Sequence, residues 1–394
     1  MNRFVRLGSA AVIAGVVLLS SCTTNLGPET LPSTTATTTP AETLPEVTEE
    51  TEIPEHTEPS SYAVVTESIV EKYGALEIDG TELLNSEGDA VTLNGISSYG
   101  IQECYDFFTS EAVKTLAEDW GCDVLRITLT GDEDSEGYIK DPERYFDVVC
   151  KVCDMCIAQG IYVIVDWNIL YKEDADENSE AAIDFFTRLS AIYSETPNVI
   201  YELENNPFTI DEEMDAEDEW SDIIKPFAEG IIEAVRENSP DCIIIVGAPD
   251  MGSAIDVAAG SQIDYDNIAY GYKLFSGTLG DGERSKVSDA LDEDACVFVT
   301  EWSLGSSNGW GGVFIKESTR WIEFFREYGI SWCNYAIGSD AEDASNALKL
   351  YSDRYTEYQK YSGHWPDGLL SASGTFVREQ FLYVEPEETE PSGE

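Results

Sequence analysis

Basic residues are scarce in this chain: 22 Lys and Arg stand against 77 Asp and Glu in 394 residues, a formal net charge of −55. A surface with that balance repels nucleic acid and anionic lipid, so no DNA or RNA partner is expected, whereas a neutral polysaccharide is indifferent to it. Histidine is almost missing. With only His56 and His364, imidazole is not on hand for proton transfer near neutral pH. Beyond the N-terminal segment no apolar run is long enough to cross a bilayer, which excludes a membrane-spanning helix there. Nine Cys are present, yet their pattern argues against the two usual uses. Cys150, Cys153 and Cys156 fall at helical spacing in an amphipathic stretch, where neighbours on one helix are poorly placed to bridge. That run also lacks the fourth Cys and following Pro of an iron–sulfur motif. Cys242 and Cys296 open apolar runs and read as small buried hydrophobes. No metal or cofactor is expected.

What is present begins with Arg3 and Arg6, an apolar run over residues 10–19, and Leu19-Ser20-Ser21-Cys22. A basic start and an apolar stretch too short to span a membrane define a secretory signal over residues 1–21. Small residues directly before Cys22 resemble a bacterial lipobox, which makes Cys22 the expected lipid attachment point. The expected location is therefore outside the cytoplasm, with contact to the membrane only through that lipid anchor. Residues 22–60 are rich in Thr, Pro and Glu with little to bury, so they read as a disordered tether, and residues 385–394 as an acidic disordered tail. Between them, residues 61–384 form one domain, expected to be a monomer.

Within that domain, short apolar runs ending in polar residues alternate with helical stretches, the pattern of parallel β-α units. Strands are expected near residues 91–97, 123–129, 161–167, 199–204, 243–247, 267–274, 297–302 and 330–336. Helices are expected over residues 110–120, 142–159, 179–194, 220–238, 284–291, 315–328 and 374–381, with one short helix after Met251. This order predicts an α/β fold, a single (β/α)8 TIM barrel. Asp79-Gly80 and Glu87-Gly88-Asp89 read as turns of a small N-terminal β-hairpin that plugs the barrel bottom.

A barrel of this kind carries its site at the C-terminal ends of its strands. Those ends supply Ser97-Ser98-Tyr99, Arg126, Asp166-Trp167-Asn168, Asn205-Asn206-Pro207, Lys273-Leu274-Phe275, Glu301-Trp302 and Asn334-Tyr335. Convergent polar groups, one Arg and several aromatics suit a carbohydrate groove. From Asn94 to Arg378 the chain resembles glycoside hydrolase family 5, in particular its bacterial endo-β-1,4-glucanase branch. The resemblance rests on Asn94-Gly95-Ile96-Ser97-Ser98, Leu125-Arg126, Asp166-Trp167, Pro197-Asn198-Val199-Ile200-Tyr201-Glu202, Glu301-Trp302 and Ser373-Gly374-Thr375-Phe376-Val377-Arg378.

That resemblance implies a retaining glycosidase, in which one carboxylate attacks the anomeric carbon and a second, about 5 Å away, protonates the leaving oxygen. It places the nucleophile at Glu301, the guanidinium that keeps it ionised at Arg126, and the amide that bonds the sugar 2-hydroxyl at Asn205. The acid/base position falls on Asn206. A carboxamide cannot deliver a proton, and general acid catalysis typically supplies about 10²- to 10⁴-fold in rate. Other family positions depart as well: a His becomes Tyr99, a Trp-His pair becomes Trp167-Asn168, a His-Phe-Tyr run becomes Lys273-Leu274-Phe275, and a platform Trp becomes Tyr335.

Three readings follow. One is a lipid-anchored, non-hydrolytic family member that holds β-glucan or a related polysaccharide, with Trp167, Trp302, Trp310 and Tyr335 as either sugar platforms or rim packing. Another is a slow or altered retaining glycosidase that uses Glu301 on substrates whose leaving group needs no acid. The last is a surface spacer or adhesion module that binds no sugar. Glu204 shares a strand face with Asn206; it is either a substitute acid or a buried carboxylate paired with Arg126 or Lys273, and Glu202 is expected to be structural.

Overall fold

A computed structural model describes residues 67–131, 137–169, 175–204, 214–278, 280–307, 312–339, 344–349 and 361–384. The signal segment, Cys22, the tether and the acidic tail lie outside these residues. The described chain opens with a short helix, Ile69–Tyr73, whose Ser68 and Glu71 form a reciprocal capping box. Strands β1 (Glu77–Asp79), β2 (Glu82–Leu84) and β3 (Ala90–Val91) then make a three-stranded antiparallel sheet. Its Leu83, with Leu76 just before it, packs against Val124, Tyr162, Ile200 and Phe298, so the sheet closes the barrel bottom.

Eight parallel strands among the described residues form a closed barrel: β4 (Asn94–Gly100), β5 (Val124–Thr130), β6 (Tyr162–Asn168), β7 (Val199–Glu202), β8 (Ile244–Gly247), β9 (Ile268–Phe275), β10 (Val297–Ser303) and β11 (Ser331–Tyr335), with β11 pairing back onto β4. The expected first strand ran from residue 91 and is corrected here. Ala90 and Val91 pair backwards with β2, and the parallel strand starts only at Asn94. Only Thr92 and Leu93 separate the two pairings, too short a gap for residue type to mark the change of partner.

Helices cover the outside. Pro142–Gln159 shows why: Pro occupies its first turn, Gly160 ends it in the left-handed region at φ 67°, and Tyr145, Phe146, Val149, Val152, Cys153 and Cys156 share its buried face. Ala175–Tyr193, Lys225–Arg236, Asp281–Asp292, Ile315–Tyr328 and Ala372–Phe381 continue the layer, and Ile255–Gly260 is the short helix after Met251. The eight Cys among the described residues are thiols. Burial pushes those of Cys122 and Cys296 up to about 12, which leaves them unreactive.

Strand alternation sorts residues into two environments. On β5, Val124 points into the barrel and Leu125 towards the helices; on β6, Tyr162 and Ile164 point in, while Val163, Val165 and Trp167 point out. The same parity brings Arg126, Asp166 and Glu202 inward, one layer above the apolar bottom. On β10 the parity breaks. Val299 pairs with Tyr272 but Glu301 with Lys273, a β-bulge in which two steps on one strand meet one on its neighbour. Phe298 points in and Val299 out, so without the bulge Glu301 would face the helices. With it, the carboxylate enters the barrel and Trp302 packs outside.

Candidate active site

Arg126 is the hub of the barrel mouth. Its side chain is wholly buried, and every donor is engaged. Nε and Nη2 grip Glu202 at 2.6 and 3.1 Å, and Nη2 lies 2.9 Å from Asp166 Oδ2. Nη1 donates to Ser97 Oγ at 2.8 Å, Thr128 Oγ1 at 2.9 Å and Glu301 Oε1 at 3.1 Å. Burial pulls the guanidinium pKa down, and the surrounding Asp166, Glu202 and Glu301 more than offset it, so the group is held well above its ordinary value.

Burial drives the Asp166 carboxyl well above its ordinary value; Arg126 works against that, and Glu202 and Glu301 reinforce it. Arg126 thus faces Asp166, Glu202 and Glu301 across the floor, and Lys273 faces Glu301. Glu202 is structural, as the sequence implies: both its oxygens are spent on Arg126.

Glu301 stands at the edge of this floor, 7 % exposed. Arg126 holds one of its oxygens, and Lys273 Nζ lies 3.7 Å from the other, Oε2. The Lys273 amine is lowered by burial; Glu301 raises it and Arg126 lowers it further. Asn334 Nδ2 donates to the Trp302 carbonyl at 2.9 Å and so fixes the end of β10. Glu204 has both oxygens buried. Of the two cations expected beside it, Arg126 and Lys273, the Arg126 guanidinium is already engaged by Ser97, Thr128, Asp166, Glu202 and Glu301.

Partly exposed aromatics ring the mouth. Tyr99, at the end of β4, meets Tyr335, at the end of β11, with ring centroids 5.7 Å apart, and Tyr335 meets Phe275 of β9 at 6.4 Å. The Tyr99 hydroxyl bonds Asn346 Oδ1, in the segment after β11, which is also tied down by Ser345 Oγ to Ser303 Oγ at 2.5 Å. Asn168 lies at the end of β6, nearly buried.

Among the sequence-predicted site residues, Glu301, Lys273, Asn168, Tyr99, Phe275 and Tyr335 therefore lie near strand ends around one mouth, while Arg126, third of the seven residues of β5, lies in the floor beneath them. Trp302 and Trp167 do not serve it. Trp302 is wholly buried against Phe325, Trp332 and Phe376, and Trp167 against Tyr138, Phe185 and Phe186. Strand parity sends both rings to the helices, so neither can stack on a sugar. Asn205, Asn206 and Trp310 lie outside the described residues. Sequence reasoning missed Asn346 and Ser345, which sit in an irregular segment with no periodicity to mark them. Among the described residues no group of three or more His, Cys, Asp or Glu is placed to hold a metal ion.

Comparison with known proteins gives a consistent picture. Residues 84–341 match the family described as Cellulase (glycosyl hydrolase family 5). The chain is 37% identical over 313 residues to Endoglucanase A of Evansella cellulosilytica, covering 79% of this chain but 61% of that protein. It is 34% identical over 305 residues to an endoglucanase of Clostridium saccharobutylicum, covering 77% of this chain and 64% of the relative. Both relatives are thus spanned over less than two thirds of their length. Among solved structures, the catalytic domain of a Thermobifida fusca endoglucanase superposes with TM-score 0.72 at 28% identity, over 80% of this chain and 100% of that one. A variant of that endoglucanase in complex with cellotetraose matches with the same TM-score, identity and coverage.

Proposed function

The chain belongs to the cellulase family, glycosyl hydrolase family 5, and from that premise we propose that it is a lipid-anchored, exported member that holds a neutral β-glucan and hydrolyses it poorly or not at all. The observation that carries this reading is the pairing of an intact nucleophile position with a carboxamide at the proton-donor position. Glu301 projects into the mouth beside Arg126, while the family correspondence puts Asn206 where the leaving oxygen must be protonated. Substitution by Glu204 is disfavoured by its burial, since both its oxygens are out of reach of solvent. Tyr99, Tyr335 and Phe275, each partly exposed, offer apolar faces to a sugar. The lipobox at Cys22 supports the anchor, and the surface charge supports solubility outside the cytoplasm without an electrostatic partner.

The test is to restore the missing acid. Asn206→Glu should raise hydrolysis of soluble β-1,4-glucan by at least about 10²-fold over the parent chain, read as reducing ends released. Robust cleavage by the unmodified chain would overturn the reading. The second reading, a slow retaining glycosidase, is favoured by the preserved Arg126–Glu301 contact at 3.1 Å. Under it, activated aryl β-cellobiosides release their phenol without an acid, and Glu301→Gln abolishes that release. A spacer that binds no sugar would retain no β-glucan in a pull-down.

A further inference from the structure

Resting on the reading of the mouth as a glycan site, we propose that Lys273 is a positioning residue. In that role its ammonium clamps Glu301 and sets a fixed positive charge against the one that develops on the sugar during cleavage. The mouth is thereby tuned to hold a neutral glycan in its ground state.

The geometry is specific. Lys273 is the register partner of Glu301 across the β9–β10 bulge, and its Nζ lies 3.7 Å from Oε2 while Arg126 holds Oε1 at 3.1 Å. Each oxygen of the carboxylate therefore faces its own cation. Phe275, two residues further along β9, has no hydroxyl with which to share the task.

The place for the lysine stem is built by neighbouring backbone. After β8, Asp250, Met251 and Gly252 lie in succession in the left-handed region, at φ 55°, 56° and 84°. That conformation is unfavourable for Asp and Met. It persists because Glu219 Oε2 accepts the Asp250 N–H at 2.9 Å, and because it brings Gly252 flat against Lys273. A Cβ at Gly252 would lie 2.8 Å from Lys273 Cγ. Strain of this kind is retained where surrounding structure over-determines it, and here it confines the amine to the Glu301 side of the mouth.

The chemical consequence follows from the transition state. Glycoside cleavage builds positive charge on the anomeric carbon as the bond to the leaving oxygen breaks and the bond to the carboxylate forms. A carboxylate bearing one cation stabilises that charge; a second cation beside the attacking oxygen opposes it. At about 5 Å and an effective dielectric constant of about 20, one unit charge shifts a rate or an affinity by about 10²-fold.

Two measurements on the full chain decide the matter, using Lys273→Met, which keeps the stem, and Lys273→Arg, which keeps the charge. First, the Glu301 carboxylate is titrated by carbon-13 NMR, its resonance identified by its loss in Glu301→Gln. Its midpoint should rise by at least about one unit in Lys273→Met and return towards the parent value in Lys273→Arg; coincident midpoints would overturn the proposal. Second, calorimetry compares a protonated imino sugar, which mimics the developing cation, with neutral cellotetraose. The affinity ratio should move towards the imino sugar by about 10²-fold in Lys273→Met and remain near the parent value in Lys273→Arg. A ratio within about two-fold of the parent in Lys273→Met would overturn the proposal. If no variant binds either sugar, the glycan-binding reading falls, while the Glu301 midpoint still decides for or against the clamp.

Discussion

At the scale of single residues, burial separates architecture from recognition. Trp302 and Tyr335 are both aromatic and both stand at strand ends, yet Trp302 is locked among Phe325, Trp332 and Phe376, whereas Tyr335 shares an open rim with Tyr99 and Phe275. The expected consequences differ accordingly. Trp302→Ala should cost about 3–5 kcal/mol in urea unfolding, because it leaves a ring-sized cavity. Tyr335→Ala should leave stability nearly untouched and weaken retention on β-glucan about five-fold, read by affinity electrophoresis. The reverse pattern would mean that the Trp302 ring is the platform. Both roles were open in the sequence, because a Trp after Glu301 has the same composition whichever way it points.

At the scale of elements, the short helix Ile69–Tyr73 couples the chain entry to the barrel. It carries Lys72 near Asp123, whose Oδ2 accepts the Asn94 N–H at 3.0 Å at the junction of β4 and β5. Burial pushes the Asp123 carboxyl up to about 7, against the Asn94 hydrogen bond and the Lys72 charge. The unfolded carboxyl titrates near about 4. Between those values the folded chain retains a proton that the unfolded chain has lost, so stability falls as pH rises through this window. Asp123→Asn keeps an acceptor for Asn94 and removes the titration. It should match the parent at pH 4 and exceed it above pH 7, by on the order of 1 kcal/mol since part of the side chain meets water. Denaturant melts at the two pH values check this, and an equal difference at both would reject it.

At the scale of the whole molecule, a formal charge of −55 makes self-repulsion part of the stability of the fold. Raising sodium chloride from about 0.01 to about 1 M shortens the Debye length roughly tenfold, from ~30 to ~3 Å. The melting temperature should therefore rise by a few degrees, and a flat response would show that the acidic coat is already neutralised by local pairing. The sequence by itself determined the β-α alternation, the bottom hairpin, the placing of Arg126 and Glu301 on barrel strands, and the carboxamide at Asn206, because these depend on local periodicity and residue type. Tertiary structure decided which way the strand-end side chains point. A bulge between Val299 and Glu301 reverses strand parity, and a left-handed turn at Gly252 seats Lys273 beside the nucleophile position. Neither leaves a periodic trace, because each arises from pairing between strands or contact across a loop rather than from the order of residues along one element.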